Sequence, residues 1–323
     1  PPVPAAPRPI PLPSVADVVK IEPPTGDTYR SFPPIKSTES AVSSVWFSRL
    51  NRGKRSVVLE LATGAGRERF LELASVADVL VQNLRPGTLA KLGLDYETLS
   101  AVNPRLILVS ISGFGQPDVQ AGPYTKMPAF DLIGQAMSGI AYTSGREGDP
   151  PSPVGFPLID TSVGDWAVTA TLLALYQRER TGLGQHLDVA MFDVGIHLNE
   201  YAVGAYGWHG VAPLRGRLPS SAPFELVRAS EGYVAIAVSG EAIFARFAEV
   251  IGHPELATDP RYANGTLRAS AMDDHLLPLI ERWTGERSVS EIVAALGAAG
   301  VPASPVQGVA DLFEDEHVAA RDM

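Results

Sequence analysis

A chain of 323 residues, 45% of them hydrophobic, is long enough for two domains with real cores. The formal net charge is -10, with both signs scattered, so the chain lacks the basic stripe that nucleic acid or an anionic membrane would require. Cysteine is absent, which excludes a disulfide framework, a thiolate metal site and a cysteine nucleophile. The six histidines (His186, His197, His209, His253, His275 and His317) lack metal-ligand spacing and read as surface or structural, so no metal is expected. No apolar run reaches the roughly 18 to 20 residues of a membrane span. The N-terminus has neither the basic start nor the apolar core of a signal peptide, and a soluble cytoplasmic protein is the expectation.

Residues 1–15 read as a Pro-rich arm, because proline recurs at nearly every second position and favours extended polyproline geometry. From Ala16 the texture is α/β. Residues 17–21 predict a short buried strand stopped by Pro23-Pro24, and 57–61 predict another, followed by a helix over 66–77. A third strand over 78–82 ends at the Pro86-Gly87 turn, 89–102 is helical, and a fourth strand over 106–111 runs into Gly113 and Gly115. Such alternation, apolar on both faces, predicts a parallel Rossmann-like sheet covered on both sides, with ligands at the carboxyl ends of its strands. A long apolar helix over 163–178 closes at Gly182 and Gly184, and a strand over 187–191 precedes a helix from Asp193. This large α/β domain spans 16–206. Residues 207–223, rich in Gly, Pro and Ser, read as a linker. A smaller α+β domain over 224–323 opens with a hairpin turning at Glu231-Gly232, then helices over 241–251, 272–283 and 289–299.

Asp160 is the most telling residue. It lies in Pro157-Leu158-Ile159-Asp160-Thr161-Ser162-Val163-Gly164, between a Gly/Pro-rich approach and the long helix. A carboxylate there is a candidate nucleophile, because a helix N-terminus stabilises negative charge developing beside it. It is equally a candidate cap for the helix that follows. No Gly-rich phosphate loop of the Walker type is present.

Five further segments stand in a telling order: Asn83-Leu84-Arg85-Pro86-Gly87-Thr88-Leu89-Ala90-Lys91-Leu92-Gly93-Leu94, Asn103-Pro104-Arg105-Leu106-Ile107, Ser110-Ile111-Ser112-Gly113-Phe114-Gly115-Gln116, Asp131-Leu132-Ile133-Gly134-Gln135, and Arg180-Thr181-Gly182-Leu183-Gly184-Gln185-His186. Together with the Asp160 segment they resemble the class III CoA-transferases, the group containing formyl-CoA transferase and carnitine CoA-transferase. The resemblance runs from about residue 16 to the last residue. It implies an aspartate nucleophile at Asp160, which would form an aspartyl–acyl anhydride, then an aspartyl-CoA thioester, and pass CoA to a carboxylic acid. Thioester energy would be conserved without ATP. Asp131 stands where relatives carry an acid near the active site; its plainer reading is a charge at a helix N-terminus.

For coenzyme A the resemblance implies Leu59, Asn83, Leu84, Thr88, Lys91, Phe130 and Met191, with Arg85 and Arg30 as further candidates for phosphate. Lys91 also reads as a solvated helix lysine, and Ala62 departs from a lysine that many relatives carry. Phe130 separates two readings: the α-methylacyl-CoA racemases of this fold carry a catalytic histidine there, and phenylalanine cannot move protons. Glu241 does match an acid of those racemases. A catalytically idle homologue acting as a structural partner is a third reading. Relatives usually begin with a further strand and helix and continue beyond this C-terminus, so part of the nucleotide-binding edge is expected to be missing. The resemblance also implies an interlocked homodimer and succinyl-CoA as donor. It argues against formyl-CoA and oxalate, since no Gly-rich lid lies near Ser220-Ser221-Ala222-Pro223.

Overall fold

The computed structural model describes residues 16–37, 42–213, 215–218 and 220–323, so the proposed Pro-rich arm lies outside the described residues. The chain divides into two compact units. One comprises residues 16–138 with Val154–Leu198, and the other Gly139–Pro153 with Asn199–Met323. The sequence reading made one cut, at a linker after residue 206. The structure instead gathers 139–153 and 199–206 with the C-terminal part. Within that unit the buried guanidinium of Arg215 donates to the carbonyl oxygens of Tyr142, Ser144, Asp149 and Pro150, pinning the 142–150 loop beside it.

In the first unit, β1 (Val19–Glu22) pairs in parallel with β4 (Arg55–Val58), and a short hairpin, β2 (Ile35–Ser37) and β3 (Val42–Ser44), leads into α1 (Val45–Leu50). Helix α2 (Gly64–Val76) follows. Thr63 caps it, its Oγ1 accepting from Gly66 N at 3.0 Å. Gly66 is required by close approach: a Cβ there would lie 2.0 Å from Glu60 O. Gly66→Ala is therefore expected to cost about 1–3 kcal/mol, read as a lower urea midpoint at unchanged slope.

The central sheet is β5 (Val79–Gln82), β6 (Ile107–Ser112) and β7 (His186–Ala190), all parallel with β6 in the middle. Between β5 and β6 the single helix expected over 89–102 is two, α3 (Thr88–Lys91) and α4 (Tyr96–Val102). Gly93 turns left-handed with φ 67, and Asp95 starts the second helix by accepting from Thr98 N at 2.8 Å. Phe70, Leu89, Leu94, Leu99, Leu106 and Leu108 pack these helices onto the sheet. The one parallel sheet expected is thus two, because no strand among the described residues joins β1–β4 to β5–β6–β7. Strand β4, expected to be buried, is exposed along its length.

Helix α5 (Asp131–Met137) precedes α7 (Leu158–Thr181), and β7 runs directly into α8 (Met191–Leu198). At 24 residues, with an 18-residue window of mean hydropathy 1.2, α7 is long and apolar enough to cross a membrane, which the sequence reading missed. It packs on β6, β7, α5 and α8, as the covering helix of an α/β unit does.

In the second unit α6 (Ile140–Thr143) and α9 (Glu200–His209) precede an antiparallel sheet. Its strands are β8 (Phe224–Arg228), β9 (Tyr233–Ala237) and β10 (Ala303–Pro305), with β9 central. Helices α10 (Glu241–Val250), α11 (Gly265–Ser270), α12 (Leu277–Gly285), α13 (Val289–Ala298) and α14 (Glu316–Ala320) complete it. Its core is built on Val234, Ile236, Phe247, Leu276, Ile280 and Leu296. The helix expected over 272–283 opens with a π-helical turn, Met272–Leu276, just before Pro278, which has no N–H to give.

Candidate active site

Asp160 is the third residue of α7, inside its first turn, so it is not the cap of that helix. Pro157 occupies the cap position and offers no side-chain acceptor. The cap comes from α5 instead. Asp131 Oδ1 accepts from Ile159 N at 2.7 Å and from Asp160 N at 3.1 Å. Asp131 itself opens α5, as one of its two readings held, so its charge serves the N-termini of two helices.

Gln135, one turn along α5, was missed by sequence reasoning. Its Nε2 donates to Asp131 Oδ2 at 2.6 Å, and its Oε1 accepts from Val154 N at 2.8 Å. It thereby steadies Asp131 and ties down the approach to α7. The i, i+4 spacing of Asp131 and Gln135 was the available signal. Gly134 lets α5 come close: a Cβ there would lie 3.1 Å from Ile159 Cγ2.

The Asp160 carboxylate is open to solvent and makes no hydrogen bond among the described residues. Desolvation by the surrounding protein, and then the nearby Asp131 charge, raise its pKa above the usual aspartate range. Both effects disfavour the ionised form relative to a free aspartate.

The sequence pattern that defines CoA-transferase family III matches residues 16–323. The chain belongs to CoA-transferase family III. An acetyl-CoA:oxalate CoA-transferase of Acetobacter aceti is 40% identical over 95% of this chain and 78% of its own length. A succinyl-CoA:mesaconate CoA-transferase of Haloarcula hispanica is 38% identical over 95% of this chain and 78% of its own length. A solved CaiB/BaiF family protein of Brucella suis, 37% identical, matches with a TM-score of 0.81 over 94% of this chain and 80% of that one. This family III member is accordingly a CoA-transferase.

The residues proposed for CoA all belong to the first unit. Asn83, Leu84 and Arg85 follow the carboxyl end of β5, and Thr88 and Lys91 begin and end α3. Met191, 7% exposed, lies just past β7, and Phe192 N donates to Gly113 O beyond β6, so these segments share one end of the sheet. Phe130, at the cap position of α5, is 81% exposed. Arg85 and Lys91 are exposed and form no ion pair among the described residues, which fits a phosphorylated ligand. Leu59 follows β4, in the other sheet. Glu241 opens α10 in the second unit, its Oε1 3.8 Å from Arg268 Nη2.

Arg30 is already engaged. Its Nε and Nη2 donate to the buried Glu22 at 2.7 and 2.8 Å, and its guanidinium lies 4.1 Å over the Phe47 ring. Glu22 also accepts from Ser56 Oγ and Asp27 N. Chiefly through Arg30, its pKa is lowered from 4.5 to about 2. A depressed carboxylate pKa stabilises the fold above the unfolded value, so this contribution should be intact above pH 4.5 and vanish as pH falls toward 2. Melting temperature against pH is expected to fall across that window, and less steeply in Glu22→Gln.

Proposed function

We propose that this chain moves CoA from an acyl-CoA donor to a carboxylic acid through covalent intermediates on Asp160, and that it works as a homodimer. The observation that carries this reading is the uncommitted carboxylate in the first turn of α7, with Asp131 holding the backbone beneath it. Asp160 attacks the thioester carbonyl, the C–S bond breaks, and CoA thiolate leaves an aspartyl–acyl anhydride. The thiolate then attacks the aspartyl carbonyl and expels the donor acid, giving an aspartyl-CoA thioester. The acceptor carboxylate repeats the two steps in reverse order: it displaces CoA to form a second anhydride, and the thiolate takes the acceptor acyl group, restoring Asp160. Each intermediate holds a carboxyl group activated as an anhydride or a thioester, so the thioester energy is conserved and no ATP is needed.

Asn83, Leu84, Arg85, Thr88 and Lys91 are read as CoA contacts, joined by Leu59, Phe130 and Met191. Phe130 disfavours the racemase alternative, since no proton-transferring side chain stands at that position. Oxalate, set aside on the missing Gly-rich lid, returns as a possible acceptor because the 40% identical relative is an oxalate transferase.

The test offers succinyl-CoA or acetyl-CoA with oxalate, mesaconate, malate or glutarate and follows new acyl-CoA by chromatography and mass. Formation of one acceptor-CoA without ATP is the expected result. Exchange of the α-proton of a 2-methylacyl-CoA with deuterated water, with no transfer, would replace this reading by the racemase. Gel filtration should give a dimer; a stable monomer would remove that part.

A further inference from the structure

A line of polar side chains crosses the central sheet beneath the segment read as a CoA contact. Gln82 on β5 pairs in register with Ser110 on β6, and His186 on β7 pairs with Leu108. All three therefore share the face on which Leu108 meets α2, α3 and α4. Leu84 N donates to Gln82 Oε1 at 2.7 Å, and Gln82 Nε2 donates to Ser110 Oγ at 2.7 Å. Ser110 Oγ lies 2.8 Å from His186 Nε2, and His186 Nδ1 lies 3.4 Å from Asp118 Oδ2. Tyr96 of α4 stacks on the imidazole at 5.3 Å.

The donors and acceptors fix one another. Flipping the Gln82 amide would set its NH₂ against the Leu84 N–H, so Nε2 faces Ser110. The Ser110 hydroxyl, receiving that proton, turns its own toward His186 Nε2, which must then be an acceptor. The neutral ring accordingly carries its proton on Nδ1, toward Asp118. Burial lowers the His186 pKa and favours that neutral form, against the opposing charges of Asp118 and Asp188.

Serine, histidine and aspartate in this order also describe a nucleophilic triad, but Ser110 is 1% exposed, beyond the reach of an acyl group. The line leads instead to a backbone amide. We propose that Gln82, Ser110 and His186 are positioning residues for CoA: they hold Leu84, and with it the exposed Asn83 and Arg85, at the carboxyl end of β5. This rests on the reading of residues 83–91 as CoA contacts.

The test compares the unmodified chain with Ser110→Ala, His186→Leu and His186→Gln, which keeps an acceptor near the Nε2 position. Three quantities are read on each: amide hydrogen exchange at Leu84, the CoA dissociation constant by calorimetry, and KM for acyl-CoA against kcat. Ser110→Ala and His186→Leu are expected to speed exchange at Leu84 and weaken CoA roughly three- to tenfold, chiefly in KM. His186→Gln should recover much of both. Unchanged exchange at Leu84 in Ser110→Ala overturns the inference, as does faster exchange with undiminished CoA binding. An unmodified chain that does not bind CoA shows that the CoA reading itself has failed, and removes the inference with it.

Discussion

Asp160→Ala is expected to lower CoA transfer by more than about 10⁴-fold, because the proposed covalent intermediates form on its carboxylate. Stability should barely change. The side chain is exposed and its carboxylate has no hydrogen-bond partner among the described residues, so the substitution belongs with surface changes of about 0.5 kcal/mol or less. The raised pKa points the same way: ionised Asp160 is disfavoured in the fold, and removing its charge relieves repulsion with Asp131. A melting curve alongside the transfer assay checks both statements. A variant that retains transfer, or that loses it only by unfolding, would remove Asp160 from the chemistry.

Asp131→Ala is expected to injure both stability and rate. It strands the N–H of Ile159, which is fully buried, and uncaps α7, at a cost of about 1–3 kcal/mol. With the first turn loosened, Asp160 is misplaced, and kcat should fall by about 10²-fold. Asp131→Asn separates geometry from charge. Its carbonyl can still accept from Ile159 and Asp160, but its NH₂ would meet the NH₂ of Gln135, so recovery is partial. The lost charge no longer raises the Asp160 pKa, and the acid limb of kcat/KM should therefore move to lower pH. If Asp131→Ala matched Asp160→Ala in rate while melting normally, Asp131 would be acting on the reacting atoms rather than positioning Asp160.

Much of this was legible in the chain itself. The motif order led to the family, and the central strands lie within a residue or two of their expected limits because buried parallel strands read as unbroken apolar runs. The start of α7 was misplaced, at 163 rather than Leu158, since Thr161, Ser162 and Gly164 look like loop residues. Its cap lies 28 residues away on another helix, and no local pattern announces such a partner. For the same reason the buried pairing of Glu22 with Arg30, the grip of Arg215 on the 142–150 loop, and the line through Ser110 and His186 needed coordinates. The histidines were read together as surface or structural. His186 is of the structural kind: the strand that carries it packs beside β6 under α4.

Intact-protein mass spectrometry after incubation with succinyl-CoA or acetyl-CoA tests the central claim most directly. An adduct of CoA mass on the chain, released by hydroxylamine and absent from Asp160→Ala, is the expected result. An adduct that persists in Asp160→Ala, or transfer that proceeds with no adduct at any stage, would contradict it.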